Sequence, residues 1–147
     1  MIKLTTIDGK RIPAAECFPK LGFNSDWVKL GADVQMINFA EMAGKYMAPF
    51  DNKDKQCLSK SQIRNVFGEI KRIQARGFDL PESKSSFLLL KPKVAYAEGR
   101  NRTIGLSLFK HIFDKAWDSV DDQRSYQNFC NLLEAILAYH KAFGGKD

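Results

Sequence analysis

The sequence predicts an all-α protein, a compact bundle of about five helices with an irregular N-terminal arm. Three observations carry that expectation. Apolar residues recur at the helical period along most of the 147-residue chain. Capping residues stand ahead of the periodic stretches, and glycines or prolines stand behind them. No second stretch alternates apolar and polar residues, and no repeat of 20–50 residues or low-complexity segment is present. The expected organisation is an arm over 1–23 and one helical domain over 24–147, long enough to bury a self-sufficient core.

Within the arm, Asp8-Gly9 between Ile2–Ile7 and Lys10-Arg11-Ile12 is a hairpin signal, and Pro13 and Pro19 argue for an irregular continuation. The first helix is expected from an Asn24-Ser25-Asp26 cap to about Met47, with Trp27, Leu30, Val34, Ile37 and then Met42 as its apolar residues. Gly31 and Gly44 weaken it, and Pro49 closes it. A polar connection, 51–55, follows.

The second helix is bounded by a Ser59 cap and a Gly77 stop, with Ile63, Val66, Phe67, Ile70 and Ile73 on one face. At ~100° per residue those five fall within an arc of roughly 120°, and Lys60, Arg64 and Lys71 lie within about 40° of one another beside it. Pro92 then either kinks one helix or starts another, since proline lacks the N–H and crowds the preceding turn. The kinked helix, about 85–98, is favoured, with Gly99 ending it and Arg100 and Arg102 on the exit loop. Two further helices are expected, over about 103–120 and 122–143. The first buries Leu106, Phe109, Ile112, Phe113, Ala116 and Trp117. The second buries Tyr126, Phe129, Leu132, Leu133, Ile136, Leu137 and Phe143, and Gly144-Gly145 terminates it.

Composition argues against several function classes. Cys17, Cys57 and Cys130 are odd in number and far apart, with only His111 and His140 beside them, so buried free thiols are expected and no metal site. No phosphate-loop, nucleophile-elbow or HExxH string occurs, which leaves no catalytic residue to name and no cofactor to expect. Asp121-Asp122 reads as a helix cap, Glu41 and Glu134 as solvated acids, and His140 as a hydrogen-bonded structural histidine. No apolar run approaches the ~20 residues of a membrane span, and the first residues lack a secretory pattern, so a cytoplasmic location without membrane contact is expected.

The charge is more informative once located. The net charge is +6. Residues 60–110 hold eleven Lys or Arg against four acids, a local +7, and the remainder carries −1. Charge concentrated in this way suits a polyanion such as nucleic acid better than general solubility. Tyr96 is assigned to the core from its nearness to Val94 and Ala95, although its ring would suit base stacking.

Three blocks then resemble one family in order. They are Leu58-Ser59-Lys60-Ser61-Gln62-Ile63-Arg64-Asn65-Val66-Phe67 with Ile70–Ile73, then Leu88–Arg100 around Lys91-Pro92-Lys93, and Phe129 with Glu134–Gly145. Together they are similar to the small subunit of type III-A CRISPR effector complexes, the Csm small subunit. The resemblance spans about 58–145 and does not reach the arm. It implies an all-helical, non-catalytic subunit present in several copies along a guide RNA–target RNA duplex. Its implied neighbours are the large polymerase-like subunit and the repeating backbone subunits. Carried over onto this sequence, the nucleic-acid-binding residues are Lys60, Arg64 and Lys71 from the first block and Lys91, Lys93 and Arg100 from the second. Arg102 joins them on charge and proximity alone. Single-stranded nucleic acid is a further candidate partner. The third block reads as packing or subunit contact. The competing expectation is a helical adaptor whose basic face meets an acidic protein surface, with Trp27 and Tyr139 as exposed aromatics.

Overall fold

The computed structural model describes residues 4–5 and 10–147. Among them are seven α-helices: α1 (Ala14–Leu21), α2 (Asp26–Lys29), α3 (Val34–Met47), α4 (Arg64–Arg76), α5 (Pro81–Asn101), α6 (Ile104–Trp117) and α7 (Gln123–Ala142). A 3₁₀ turn, Lys60–Ile63, leads into α4. The all-helical class is as expected, but the helices exceed the anticipated five for identifiable reasons.

Gly31 is the first reason. At φ 128° it holds a conformation that L side chains rarely adopt, which ends α2, and the Asp33 carboxylate then caps α3 by accepting from the Met36 N–H. The helix expected across 24–47 is therefore two helices. Because the second restarts in a new phase, Leu30 (64% exposed), Val34 (73%) and Ile37 face solvent, while Met36, Phe39, Ala40 and Ala43 face the core. Trp27 is buried.

The supposedly irregular arm is the second reason. Pro13 sits at the N-cap of α1, where its missing N–H is no loss, and Pro19 lies inside the helix with its side chain exposed. Buried Ala14 and Cys17 anchor α1, which packs against α6. The Asp8-Gly9 turn lies outside the described residues. On either side of it Thr5 and Arg11 form an isolated antiparallel bridge, and the Ile12 N–H donates to the Leu4 carbonyl.

The later helices follow the expected faces closely. Ser59 precedes the 3₁₀ turn, with the Gln62 side chain accepting from its N–H. Thr103 caps α6 and Asp122 caps α7 through side-chain oxygens. α5 runs longer than expected at both ends, from Pro81 at its first turn to Asn101, and it passes through Pro92 without a break. Gly99 therefore does not end it, and Arg100 belongs to its last turn.

The core runs from α3 across α7 and α6. At its centre Phe87 stacks on Trp117 at 5.2 Å, Phe78 on Tyr126 at 5.1 Å, and Phe113 meets Phe129 edge-on at 5.5 Å. The polar ends of these rings are satisfied: the Trp117 indole donates to the Phe87 carbonyl and the Tyr126 hydroxyl to the Ile70 carbonyl. α3 crosses α7 at Gly44, where an added Cβ would come within 2.7 Å of the His140 nitrogen. Phe143, expected in the core, instead caps α7, lies exposed and stacks on Tyr139.

Candidate nucleic-acid interface

α4 displays its apolar side to the core through buried Val66, Ile70 and Ile73, so residues at the flank of that stripe emerge at its edge. Lys60, Arg64 and Lys71 do so together. They line one open groove of about 350 Å³, floored by Ile63, Phe67 and Gly68, with Asp147 on its far wall. The Lys60 N–H donates to the Lys146 carbonyl and Ser59 Oγ to the Asp147 carbonyl, so the 3₁₀ turn and the 146–147 segment are tied at that wall. All three cations are solvent-exposed. Lys71 pairs with Glu134 of α7 at 3.4 Å, an exposed contact of the kind that contributes little and yields readily to a stronger anion.

The second set is divided by the geometry of α5. Phe87, Leu90, Val94 and Ala97 are its buried apolar residues. Lys93, Tyr96 and Arg100 follow an i, i+3, i+7 spacing on another stripe, which faces α4 and the turn before it. Arg100 and Tyr96 line a cleft with Ser61, Gln62, Asn65 and Asn101. Lys93 carries its charge toward Glu69 of α4. The Arg72 hydrogen bond is the main reason the Glu69 carboxyl lies below its usual range, against burial working the other way, and Lys93 adds to the effect.

Lys91 stands apart from these groups. Nine residues before Arg100, it lies about half a helical turn round from it. There it meets α6, with Nζ 3.5 Å from Asp118 and 4.7 Å from the Trp117 ring centre. Arg102 is the exposed C-cap of α5, in the left-handed region at φ 47°. The structure thus gathers Lys60, Arg64 and Lys71 in one groove and Lys93 and Arg100 on the neighbouring stripe, whereas Lys91 faces another way.

Tyr96 corrects the expectation that it belongs to the core: it is 68% exposed. The signal was present in the spacing. Tyr96 is two positions from buried Val94, about 200° round the helix, and sits between Lys93 and Arg100. The adaptor's proposed aromatics fare no better: Trp27 is 3% exposed, and Tyr139 packs partly against the core.

The remaining reactive side chains have structural roles. All three cysteines are free and buried, and burial raises their pKa values, Cys17 and Cys130 to about 11, which leaves neutral thiols near pH 7. His140 is buried; its Nε2–H donates to the Leu58 carbonyl at 2.7 Å, and desolvation lowers its pKa. Among the described residues no group of three or more His, Cys, Asp or Glu could hold a metal, and no helix is long and apolar enough to cross a membrane.

Two comparisons bear on this geometry. The family model described as Csm2 Type III-A matches residues 34–146. The CRISPR system Cms protein Csm2 of Streptococcus thermophilus is 32% identical over 101 residues, which are 66% of this chain and 82% of that relative. The span of the family model includes the three groove cations and the α5 stripe.

Proposed function

The chain belongs to the Csm2 type III-A family, the small subunits of type III-A CRISPR complexes, and from that premise we propose that it is a non-catalytic support for RNA backbone. Its partners in this reading are the guide RNA–target RNA duplex or single-stranded RNA, further copies of itself, the large polymerase-like subunit and the repeating backbone subunits. The observation that carries the reading is the meeting of Lys60, Arg64 and Lys71 in one exposed groove.

Physical chemistry suits that groove to phosphates. Lys and Arg neutralise backbone charge and release condensed counterions, which yields affinity without regard to sequence. Phosphate contacts position a nucleic acid, and where base pairing already specifies the target, position is what a protein subunit must supply. The apolar floor of Ile63 and Phe67 offers the aliphatic stems of the cations a surface to lie along with their charged heads in water. Lys93, Arg100 and Arg102 extend the same basic surface toward α5. Lys91, turned toward α6, contributes to this path least.

The reading is tested by the salt dependence of binding. With about 0.7 counterions released per phosphate on a single strand, three groove cations account for a slope of about −2 in log affinity against log salt. Between 50 and 200 mM salt that is a loss of roughly 20-fold. Fluorescence anisotropy on a labelled single-stranded oligoribonucleotide should show the slope flatten by about two for Lys60→Gln/Arg64→Gln/Lys71→Gln. Absence of binding by the wild-type chain, or an unchanged slope in the variant, would overturn the assignment.

A further inference from the structure

We propose that the cleft between the 3₁₀ turn with α4 and helix α5 is a site for one unpaired nucleotide, whose base stacks on Tyr96 and whose phosphate meets Arg100. The inference rests on the backbone reading above and extends it from phosphate contact to base contact.

An exposed tyrosine alone would need no explanation. Its setting supplies the reason to look further. The cleft is small and open to solvent, about 270 Å³, so it can take part of one nucleotide and not a duplex. Its wall carries Ser61, Gln62, Asn65, Asn101 and Arg100 and no carboxylate. An anionic ligand therefore meets one cation and no fixed negative charge there. Lys93 and Arg100 flank Tyr96 along the helix at i−3 and i+4, so cations lie on both sides of the ring.

The amides are partly committed in a useful way. Gln62 uses its side-chain oxygen to accept from the Ser59 N–H at 3.1 Å, and Asn101 uses its nitrogen to donate to the Ala97 carbonyl at 2.8 Å. A donor nitrogen remains on the first and an acceptor oxygen on the second, the pair that the edge of a nucleobase needs. A base inside a continuous A-form helix has both faces covered by its neighbours. Only an unpaired or splayed-out base can offer a face to Tyr96, and aromatic stacking accepts every base alike. The occupant is accordingly a nucleotide of single-stranded RNA or one turned out of a duplex.

The experiment uses the full chain, a single-stranded oligoribonucleotide carrying 2-aminopurine, and a blunt duplex of the same length. Stacking on Tyr96 should quench the 2-aminopurine emission for the wild type and for Tyr96→Phe, which keeps the ring. Tyr96→Ala should abolish the quench and weaken single-strand binding about 5- to 150-fold, the range of one base–aromatic stack, with duplex binding unchanged. Circular dichroism and a thermal melt should match the wild type, because Tyr96 is exposed. If single-strand binding is salt-dependent and sensitive to the groove substitutions but indifferent to Tyr96→Ala, the nucleotide site is overturned and the backbone reading survives. If Tyr96→Ala alters only self-association, the stripe is a protein contact and the site is likewise overturned. If the wild type binds no RNA, both fall.

Discussion

Arg11 joins the segment before α1 to the end of α3, and removing its partner gives a prediction with a calculable size. The guanidinium is buried, donates to the carbonyls of Tyr46 and Ala48 at 2.6 Å each, and lies 2.6 Å from Asp54 and 3.9 Å above the Phe50 ring. Burial of Asp54 works to raise its pKa. The Arg11 hydrogen bond, the N–H groups of Phe50 and Gln56 and the Arg11 charge together outweigh it and hold the carboxyl at about 2, against an ordinary 3.8. At ~1.4 kcal/mol per unit, that difference stabilises the folded chain by about 2 kcal/mol. Asp54→Asn keeps an oxygen for the backbone donors but loses the charge. It should lower stability at pH 7 by about 2 kcal/mol, or the melting temperature by about 4–8 °C for a chain of this size. The sign follows from a depressed carboxyl pKa: the stabilisation is complete above pH 3.8 and is lost as pH falls toward 2. The gap between wild type and variant should therefore hold constant from pH 7 to about 4.5 and close below it. Urea titrations of both chains across pH 2–7 measure it. A gap below ~0.5 kcal/mol at pH 7, or one that persists unchanged at pH 2, would refute the reasoning.

Two further predictions concern α7. Gly44→Ala would place a Cβ 2.7 Å from the His140 nitrogen and 2.9 Å from the Ile136 carbonyl, backbone that cannot move aside. The strain of about 1–3 kcal/mol should exceed the roughly 1 kcal/mol gained in helix propensity, whereas Gly99→Ala, with nothing within 4 Å, should stabilise; denaturant midpoints of the two variants should move in opposite directions. For His140 the buried imidazole binds its proton less readily in the folded chain than in the unfolded one, where its pKa is near 6.5. Stability should thus be complete above pH 6.5 and decline as pH falls below it, and His140→Gln should flatten the melting temperature between pH 7 and 5.

How far the sequence could be read depended on what each residue answers to. The buried faces of α4, α6 and α7 were legible because side chains three and four apart share a neighbour, and the Thr103 and Asp122 caps act within one turn. Gly31 was not, since a glycine inside a periodic stretch is either tolerated or turned to positive φ, and packing decides which. Pro19 misled in a similar way, whereas one helix running through Pro92 was the favoured reading. Pro19 and Pro92 both sit on exposed helix faces, where water can satisfy the carbonyl each one leaves unpaired, so neither helix breaks. At the interface, Arg64 and Lys71 were legible as neighbours from spacing within one helix, and Lys60 joins them from the 3₁₀ turn that leads into it. Lys91 and Arg100 were grouped because they are close in sequence, but half a turn separates them. Tyr96 was misplaced for the same reason, since adjacency to Val94 and Ala95 says nothing of which side of the helix a ring occupies.

Whether this small subunit holds RNA by its basic surface is decided by crosslinking in the native assembly with 4-thiouridine in the target RNA. RNA-linked peptides from this chain should contain the Lys60–Lys71 groove and the Lys93–Arg102 stripe. Crosslinks from those segments to protein subunits alone, with none to RNA, would contradict RNA binding by that surface.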